Sequence, residues 1–288
     1  MSEFVINNLI KTAAVPLAAA AIAVLLLSLV PDRFRGGGGW IAGVGMLLGF
    51  AAGFFLIAGF SGFPPIKIAD WLPYAAAFVL LAVWALQRLR FPLRFLFTVG
   101  IVGCLLWLYL RPVAANRETG ELLVTAAILG ALWLLLWWVW AWSNESRGPV
   151  PESLLVMAVA GTAASMVTVL DGSALLGQLG GVLAASCGGI FLVRMFRPNL
   201  VMGPMPNAVF LSLFGGLLIV AHLYAEVSSL GLSLAFISAL AVIPCGFSRF
   251  RDLGAVKRGL IAVALAALPA AIAIIYLVRN ATHDDYGY

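Results

Sequence analysis

Four polar side chains of this sequence have spacings that place them in pairs on single helical faces. His222 and Glu226 are four residues apart, and Asp171 and Gln178 are seven apart around the start of an earlier apolar stretch. Histidine can take up and release protons near neutral pH, and ionisable groups at membrane depth tend to mark proton, ion or substrate pathways. The pattern predicts such a pathway, with solvated helix ends as the alternative.

Two further candidates lie in the segment FPPIKIADWLPY, residues 63–74. Its adjacent prolines exclude a helix, Trp71 suits a membrane interface, and Asp70 suits the N-cap of the helix that follows. We expect Lys67 and Asp70 to lie at the same membrane surface as the four residues above. All six are therefore candidates for a ligand or proton pathway.

The elements that must position these residues follow from composition. Hydrophobic residues make up 63% of the chain and charged residues 10%, with a mean hydropathy of +1.08, whereas about a quarter of a soluble protein is charged. We predict an all-α polytopic integral membrane protein: one transmembrane domain over residues 1–288, with about ten helices and short loops. The predicted helices, numbered 1 to 10, are 12–30, 40–60, 71–86, 94–111, 121–142, 152–170, 174–193, 207–224, 228–246 and 257–278.

Lysine and arginine are unevenly divided between the two sets of predicted loops. Twelve of the 17 follow helices 1, 3, 5, 7 and 9, and five lie on the other side, which holds both termini. The positive-inside rule then predicts cytoplasmic odd loops and extracytoplasmic termini, in a membrane expected to be a bacterial inner membrane. The net charge of +5 is explained by topology, because no basic helix offers a surface for nucleic acid.

Small residues recur every four positions on helices 2 and 7. These positions are Gly45, Gly49 and Gly53 on helix 2, and Gly177, Gly181, Ala185 and Gly189 on helix 7. Such stripes allow close helix packing in lipid, and a mobile interface in a transporter would have the same composition.

Five tryptophans crowd the cytoplasmic half of helix 5, where we expect a belt facing lipid. They are Trp133, Trp137, Trp138, Trp140 and Trp142.

No metal site and no cofactor are predicted. Three cysteines and two histidines match neither a zinc motif nor a disulfide framework. The expected partners are the lipid bilayer and, if the chain belongs to a complex, other protein subunits, but not nucleic acid.

One short motif suggests an enzyme. Gly-Phe-Ser-Gly at 59–62 resembles the GxSG motif of rhomboid intramembrane proteases, which implies a dyad of Ser61 with a histidine on a later helix, such as His222. The rhomboid serine begins a helix, whereas Ser61 is predicted to end one. An intramembrane serine protease is therefore a remote alternative, and the balance is against an enzyme.

The helix count and chain length are similar to those of the drug/metabolite transporter superfamily, but none of its residue motifs is present, so no family is assigned. The helix ends RLRFP and VRMFRP raise the question of an internal duplication. The leading hypothesis is a transporter of a small or lipophilic solute, and the alternative is an accessory or scaffold subunit of a membrane complex. A cavity reaching mid-membrane and including Gln178 and His222 would favour transport, whereas a solid bundle would favour the subunit.

Overall fold

The chain forms a bundle of membrane-spanning helices. The computed structural model describes residues 3–30, 39–86, 89, 91–115, 117–145, 152–200, 202–247, 250 and 252–284. Within these residues ten helices are long and apolar enough to cross a membrane, the structure is 85% helical, and no strand occurs. The predicted all-α polytopic fold is confirmed, and the chain is an integral membrane protein.

The helices follow the predicted order. Helix α1 comprises Glu3–Leu9, a π-helical turn at Ile10–Ala14 and Val15–Leu27; the others are α2 (Trp40–Ala58), α3 (Leu72–Leu86), α4 (Phe91–Ala114), α5 (Thr119–Glu145), α6 (Glu152–Leu170), α7 (Ala174–Phe196), α8 (Pro204–Tyr224), α9 (Ser229–Leu240) and α10 (Ala255–Asp284). Helix α9 ends before its predicted boundary, and the chain continues as turns and a 3-10 helix at Pro244–Gly246. Proline has no N–H for a helical hydrogen bond, which explains this early end.

Successive helices cross in opposite directions, so the loops fall at two ends of the bundle. We call the end with the loops after α1, α3, α5, α7 and α9 the basic end, and the opposite end the terminal end. At the basic end, Arg197 Nη1 donates a hydrogen bond of 2.7 Å to Ser28 Oγ. The basic residues of the predicted orientation that lie outside the described residues are Arg33, Arg35, Arg88, Arg90, Arg147, Arg249 and Arg251.

Glycines on α2 and α7 lie where these helices approach α1. A Cβ added at Gly49 would lie 2.8 Å from the carbonyl oxygen of Pro16 and 2.8 Å from Ser186 Oγ, and one at Gly189 would collide with the carbonyl oxygen of Leu17. Only glycine permits this backbone approach, which favours helix association in lipid.

The remaining glycines of the two stripes also face neighbouring helices. Gly45 faces Val24, Gly53 faces Val182 and Gly177 faces Val169. Gly181 has more room, because the nearest atom to an added Cβ would be Ser165 Oγ at 3.6 Å. Helices α1, α2, α6 and α7 thus pack as one tight group around small residues.

Helix α8 lies at the centre of the bundle. Its span is 78% buried, the largest share among the ten described spans, and it packs against α2, α3, α4, α5, α6, α7 and α9. The span of α5, by contrast, is 22% buried. Helix α5 is therefore peripheral, and one of its long sides is left to lipid.

Candidate functional site

Lys67 and Asp70 lie just before α3. Lys67 is exposed, and its carbonyl oxygen accepts a hydrogen bond of 3.1 Å from the Asp70 N–H. Asp70 lies inside a 3-10 turn, Ile68–Trp71, and is not the N-cap of α3 as expected, because α3 begins at Leu72. Its side chain is 5% exposed, and Oδ2 is buried without a hydrogen-bond partner. The two side chains therefore lie in different environments.

Asp171 lies in the turn between α6 and α7 and is half-buried. Its Oδ2 accepts a hydrogen bond of 2.5 Å from the backbone N–H of Ser228. Ser228 is the N-cap residue of α9, and its Oγ accepts a hydrogen bond of 3.3 Å from Gly231 N–H. The Asp171 carboxylate therefore ties the α6–α7 turn to the start of α9.

The other three predicted residues are dispersed. Gln178 is half-buried on α7, Glu226 is exposed in the α8–α9 loop at φ 53°, and His222 is half-buried near the terminal end of α8. Within the described residues, the only hydrogen bond between any two of the six candidates is the backbone bond from Asp70 to Lys67. The proton or ligand pathway built from these six residues stays a prediction.

His222 lines a groove of about 480 Å³ between α5, α8 and α9, which we call the terminal-end groove. The groove runs from His222 and Ser229 to Trp133 and Gly215, which lie near the middle of their helices. It reaches mid-membrane as expected for a transporter, but Gln178 is not among its lining residues. Apart from His222, Ser229 and Ser233, its lining is apolar or aromatic.

The terminal-end groove opens sideways. Ile128 and Leu132 on α5 and Ile237 on α9 line it, and all three are exposed. In a membrane such residues face hydrocarbon. A lipophilic molecule could therefore enter the groove from the bilayer between α5 and α9.

A second cavity, of about 140 Å³, lies on the basic-end side between α3, α4, α5 and α8, and we call it the basic-end cavity. Its lining is mostly apolar, with Arg94, Thr98 and Asn207 as polar members and the indoles of Trp137, Trp138 and Trp140 as aromatic ones. The Thr98 hydroxyl donates a hydrogen bond of 2.9 Å to the Arg94 carbonyl oxygen. Asn207 is 6% exposed, and its Nδ2 has no hydrogen-bond partner; the same is true of Trp137 Nε1.

One contact joins a lining residue of the groove to a lining residue of the cavity. Trp133 lines the terminal-end groove, Leu211 lines the basic-end cavity, and Trp133 Nε1 donates a hydrogen bond of 2.9 Å to the Leu211 carbonyl oxygen. A Cβ added at Gly215 would collide with this indole. Glycine on α8 therefore makes room for the indole of Trp133.

The tryptophans of α5 do not form one belt facing lipid, so that expectation is wrong for part of the group. Trp133 and Trp140 are 3% and 0% exposed and lie inside the bundle, whereas Trp138 and Trp142 are exposed. The Trp140 ring packs against Phe210 of α8, with ring centroids 5.6 Å apart. Tryptophan suits a lipid interface and a helix contact alike, so composition could not separate the two roles.

A charged cluster at the basic end was not singled out by the sequence analysis. Glu152, the first residue of α6, is 3% exposed, and Arg258 Nε of α10 lies 2.9 Å from its Oε1. Arg194 of α7 also interacts electrostatically with Glu152. The cluster links the ends of α6, α7 and α10. It lines neither the terminal-end groove nor the basic-end cavity.

Sequence reasoning also passed over Asn207 and Arg94. The available signal was a polar residue within an apolar stretch, which calls for a partner or a cavity. Ser61, by contrast, lies exposed in the loop after α2 and has no hydrogen bond to His222 within the described residues.

Across the described part of the chain, no three histidine, cysteine, aspartate or glutamate side chains are grouped so that they could hold a metal ion. No protein-family model matches the sequence, and no curated protein matches it significantly.

Proposed function

We propose that this protein moves a small lipophilic or amphipathic solute across the membrane along the interface of α5 and α8. The observation that carries the proposal is a pair of cavities along α5 and α8, one lined by Trp133 and the other by Leu211, whose side chain and backbone are joined by a hydrogen bond. A carrier needs a space reachable from each side of the membrane and a barrier between them that can rearrange. The α5–α8 interface supplies all three parts in one line.

The lateral openings support a solute that partitions into lipid. Exposed side chains of α5 and α9 border the terminal-end groove, and exposed Phe95 and Trp138 border the basic-end cavity. A lipophilic solute would enter from the hydrocarbon and would pass indoles and leucines, which gain from contact with it.

The proposal requires the contact between Trp133 and α8 to rearrange, and its hydrogen bond is a small part of the cost. A single neutral hydrogen bond contributes about 0.5 to 1.5 kcal/mol. Helix α5 is the mobile partner in this proposal, because its span is 22% buried, whereas the span of α8 is 78% buried. The small-residue stripes of α2 and α7 serve as fixed packing surfaces, since Gly45, Gly49 and Gly189 leave no room for a Cβ against α1.

The predicted polar residues then divide by role. His222 and Ser229 would meet a solute at the mouth of the terminal-end groove. Asp171 would hold the start of α9, which forms one wall of that groove, through the Ser228 N–H. Asp70, buried with a free Oδ2, keeps its place as a candidate for a pathway along α3 and α8.

The orientation belongs to the same proposal. With 12 of 17 basic residues in its loops or at the adjoining helix ends, the basic end would face the cytoplasm of a bacterial cell and the termini would lie outside. Cysteine labelling tests this in a Cys104→Ser background, which removes the exposed native thiol while Cys187 and Cys245 stay buried. Lys67→Cys should react with an impermeant reagent on whole cells, and Lys257→Cys only after permeabilisation; the reverse pattern would overturn the orientation.

Transport is tested in proteoliposomes that contain a trace of phosphatidylglycerol or dodecanoate carrying a nitrobenzoxadiazole dye. Dithionite bleaches only the dye on the outside, so a carrier converts the protected inner pool into a bleached one. We expect faster loss of the protected pool than in vesicles without protein. The proposal would be contradicted if, for both probes, the rate with protein equals the rate in vesicles without protein. A partner subunit that remains bound in mild detergent would then favour the alternative of a membrane complex.

A further inference from the structure

We infer that the basic-end cavity binds the acidic headgroup of an amphiphile, a phosphate or carboxylate with an apolar tail. As the substrate class of the proposed transporter this inference rests on the proposed function, but the binding site itself does not. It follows from which polar groups line the cavity and from which are absent.

The polar groups in question are hydrogen-bond donors that lack acceptors. Asn207 is 6% exposed and its Nδ2 has no partner, and Trp137 Nε1 is also buried without one. Both residues line the basic-end cavity. Buried donors in native proteins nearly always have a partner, so two unpaired ones beside one cavity indicate that an acceptor belongs there.

Asn207 can present its N–H₂ to a ligand at little cost. The terminal amide torsion of asparagine is broad and two-fold, and a half-turn exchanges the oxygen and the nitrogen. A ligand that offers only acceptors selects the orientation with the nitrogen toward the cavity. The indole of Trp137 has no such ambiguity, because its nitrogen can only donate.

The charge of the cavity favours an anion. Arg94, in the first turn of α4, lines it, and none of its described lining residues is acidic. Arginine, an asparagine amide and an indole N–H are all donors to an oxyanion, and a hydrogen bond to a charged acceptor is about twice as strong as a neutral one. A cation would find no counter-charge on these walls.

The remaining walls favour a ligand with an apolar tail. Val83, Leu86, Leu134, Ala208 and Leu211 form the rest of the space, and exposed Phe95 and Trp138 lie at its side. The volume of about 140 Å³ is close to that of a cavity of about 150 Å³ that holds benzene. It can enclose a headgroup and the first part of a chain, while the rest of the chain leaves sideways into lipid.

The depth of the site agrees with this arrangement. At 1.5 Å per residue, Asn207 lies about 5 Å from the start of α8 and Trp137 about 12 Å from the end of α5 at Glu145. Asn207 and Arg94, in the first turns of α8 and α4, are therefore near the basic end, and Trp137 and Leu134 lie deeper. A lipid-like anion with its headgroup toward the basic end would match both levels.

Binding is measured on the purified protein by native mass spectrometry and by the ligand-induced rise in melting temperature. The probes are dodecyl phosphate, dodecyltrimethylammonium, which has the same tail and the opposite charge, and inorganic phosphate, which has no tail. We expect dodecyl phosphate to bind at least about tenfold more tightly than either of the others. Equal binding of the two dodecyl compounds would overturn the anion site, and equal binding of inorganic phosphate would overturn the need for a tail.

Variants assign the binding to the cavity. Asn207→Leu keeps the side-chain size and removes the amide, and Trp137→Phe removes the indole N–H; each should weaken dodecyl phosphate about tenfold. Trp107→Phe, at an exposed position of α4 that lines neither the cavity nor the groove, is the matched control and should bind like the unmodified protein. If Asn207→Leu does not fold, Trp137→Phe and Arg94→Met test the same cavity. Full affinity in the folded variants would overturn the inference, and because no transport is measured, this failure is separate from failure of the proposed function.

Discussion

The indole nitrogen of Trp133 donates a hydrogen bond of 2.9 Å to the carbonyl oxygen of Leu211, in the middle of the most buried helix. The same indole lies over Gly215, one helical turn further along α8, where any side chain would collide with it. This single residue of α5 is therefore fixed in position by both a polar and a steric contact with α8. Trp133 lines the terminal-end groove, and Leu211 lines the basic-end cavity.

Replacement of Trp133 by alanine should join the two cavities. We expect faster passage of the dye-labelled probes in proteoliposomes, because the indole that separates the spaces is lost. Trp133→Phe keeps a ring at this level and loses only the hydrogen bond, so its rate should lie between those of the alanine variant and the unmodified protein. A rate for Trp133→Ala equal to or below that of the unmodified protein would argue against Trp133 as the barrier.

The ten helices were predictable because the membrane imposes a length on every crossing segment. About 20 apolar residues are needed for each, and the chain supplies them between polar breaks such as the segment at residues 63–71. Even the 3-10 turn before α3 lies in that segment, where adjacent prolines exclude a helix.

The site was less predictable because most of these helices are apolar on all their faces. Without a polar stripe, the sequence does not indicate which face of α5 meets α8, so Trp133 and Trp138 look alike although one is buried and the other faces lipid. Asn207 and Glu152 could be recognised as polar residues near helix starts, but their neighbours, Trp137 and Arg258, come from helices far away in sequence. Such pairings depend on the three-dimensional arrangement of the bundle.

Two adjacent glycines of α7 should respond differently to alanine. A Cβ at Gly189 would collide with the backbone of α1 at Leu17, whereas one at Gly188 would have no neighbour within 4 Å. Gly189→Ala must push α1 away from α7 and should cost about 1 to 3 kcal/mol, seen as a lower melting temperature in detergent.

Gly188→Ala is the matched control, with unchanged or slightly higher stability because alanine favours a helix over glycine. Gly181→Ala should also be tolerated, since its nearest neighbour would be at 3.6 Å. Equal melting temperatures for the Gly188 and Gly189 variants would show that α1 does not pack on α7 as described.

The pair of Glu152 and Arg258 should be asymmetric in its effect on stability. The Glu152 side chain is 4% exposed and the Arg258 side chain 22%. Arg258→Met leaves a buried carboxylate with one fewer partner and should cost about 3 to 5 kcal/mol, as for other broken buried pairs. Glu152→Gln leaves an arginine that can still reach water and should cost less.

Thermal melting of both single variants and of the double variant measures this difference as a thermodynamic cycle. Arg194 also interacts with Glu152, so it compensates part of the carboxylate charge in Arg258→Met and reduces the loss of stability. A larger loss for Glu152→Gln than for Arg258→Met would contradict the burial difference on which the prediction rests.

Asp171 is expected to act as an anchor for α9, and the Ser228 amide reports on it. Asp171→Asn keeps the shape of the side chain and removes its negative charge. That charge strengthens the hydrogen bond with Ser228 N–H and is attracted to the positive N-terminal end of the α9 dipole. The change should cost about 1.5 to 3 kcal/mol of stability and should speed deuterium exchange in the peptide that contains Ser228. Glu226→Gln, an exposed residue of the same loop, is the control and should change neither. If Asp171→Asn slows transport while exchange at Ser228 stays as it was, the carboxylate acts in the pathway itself and the anchoring role is wrong.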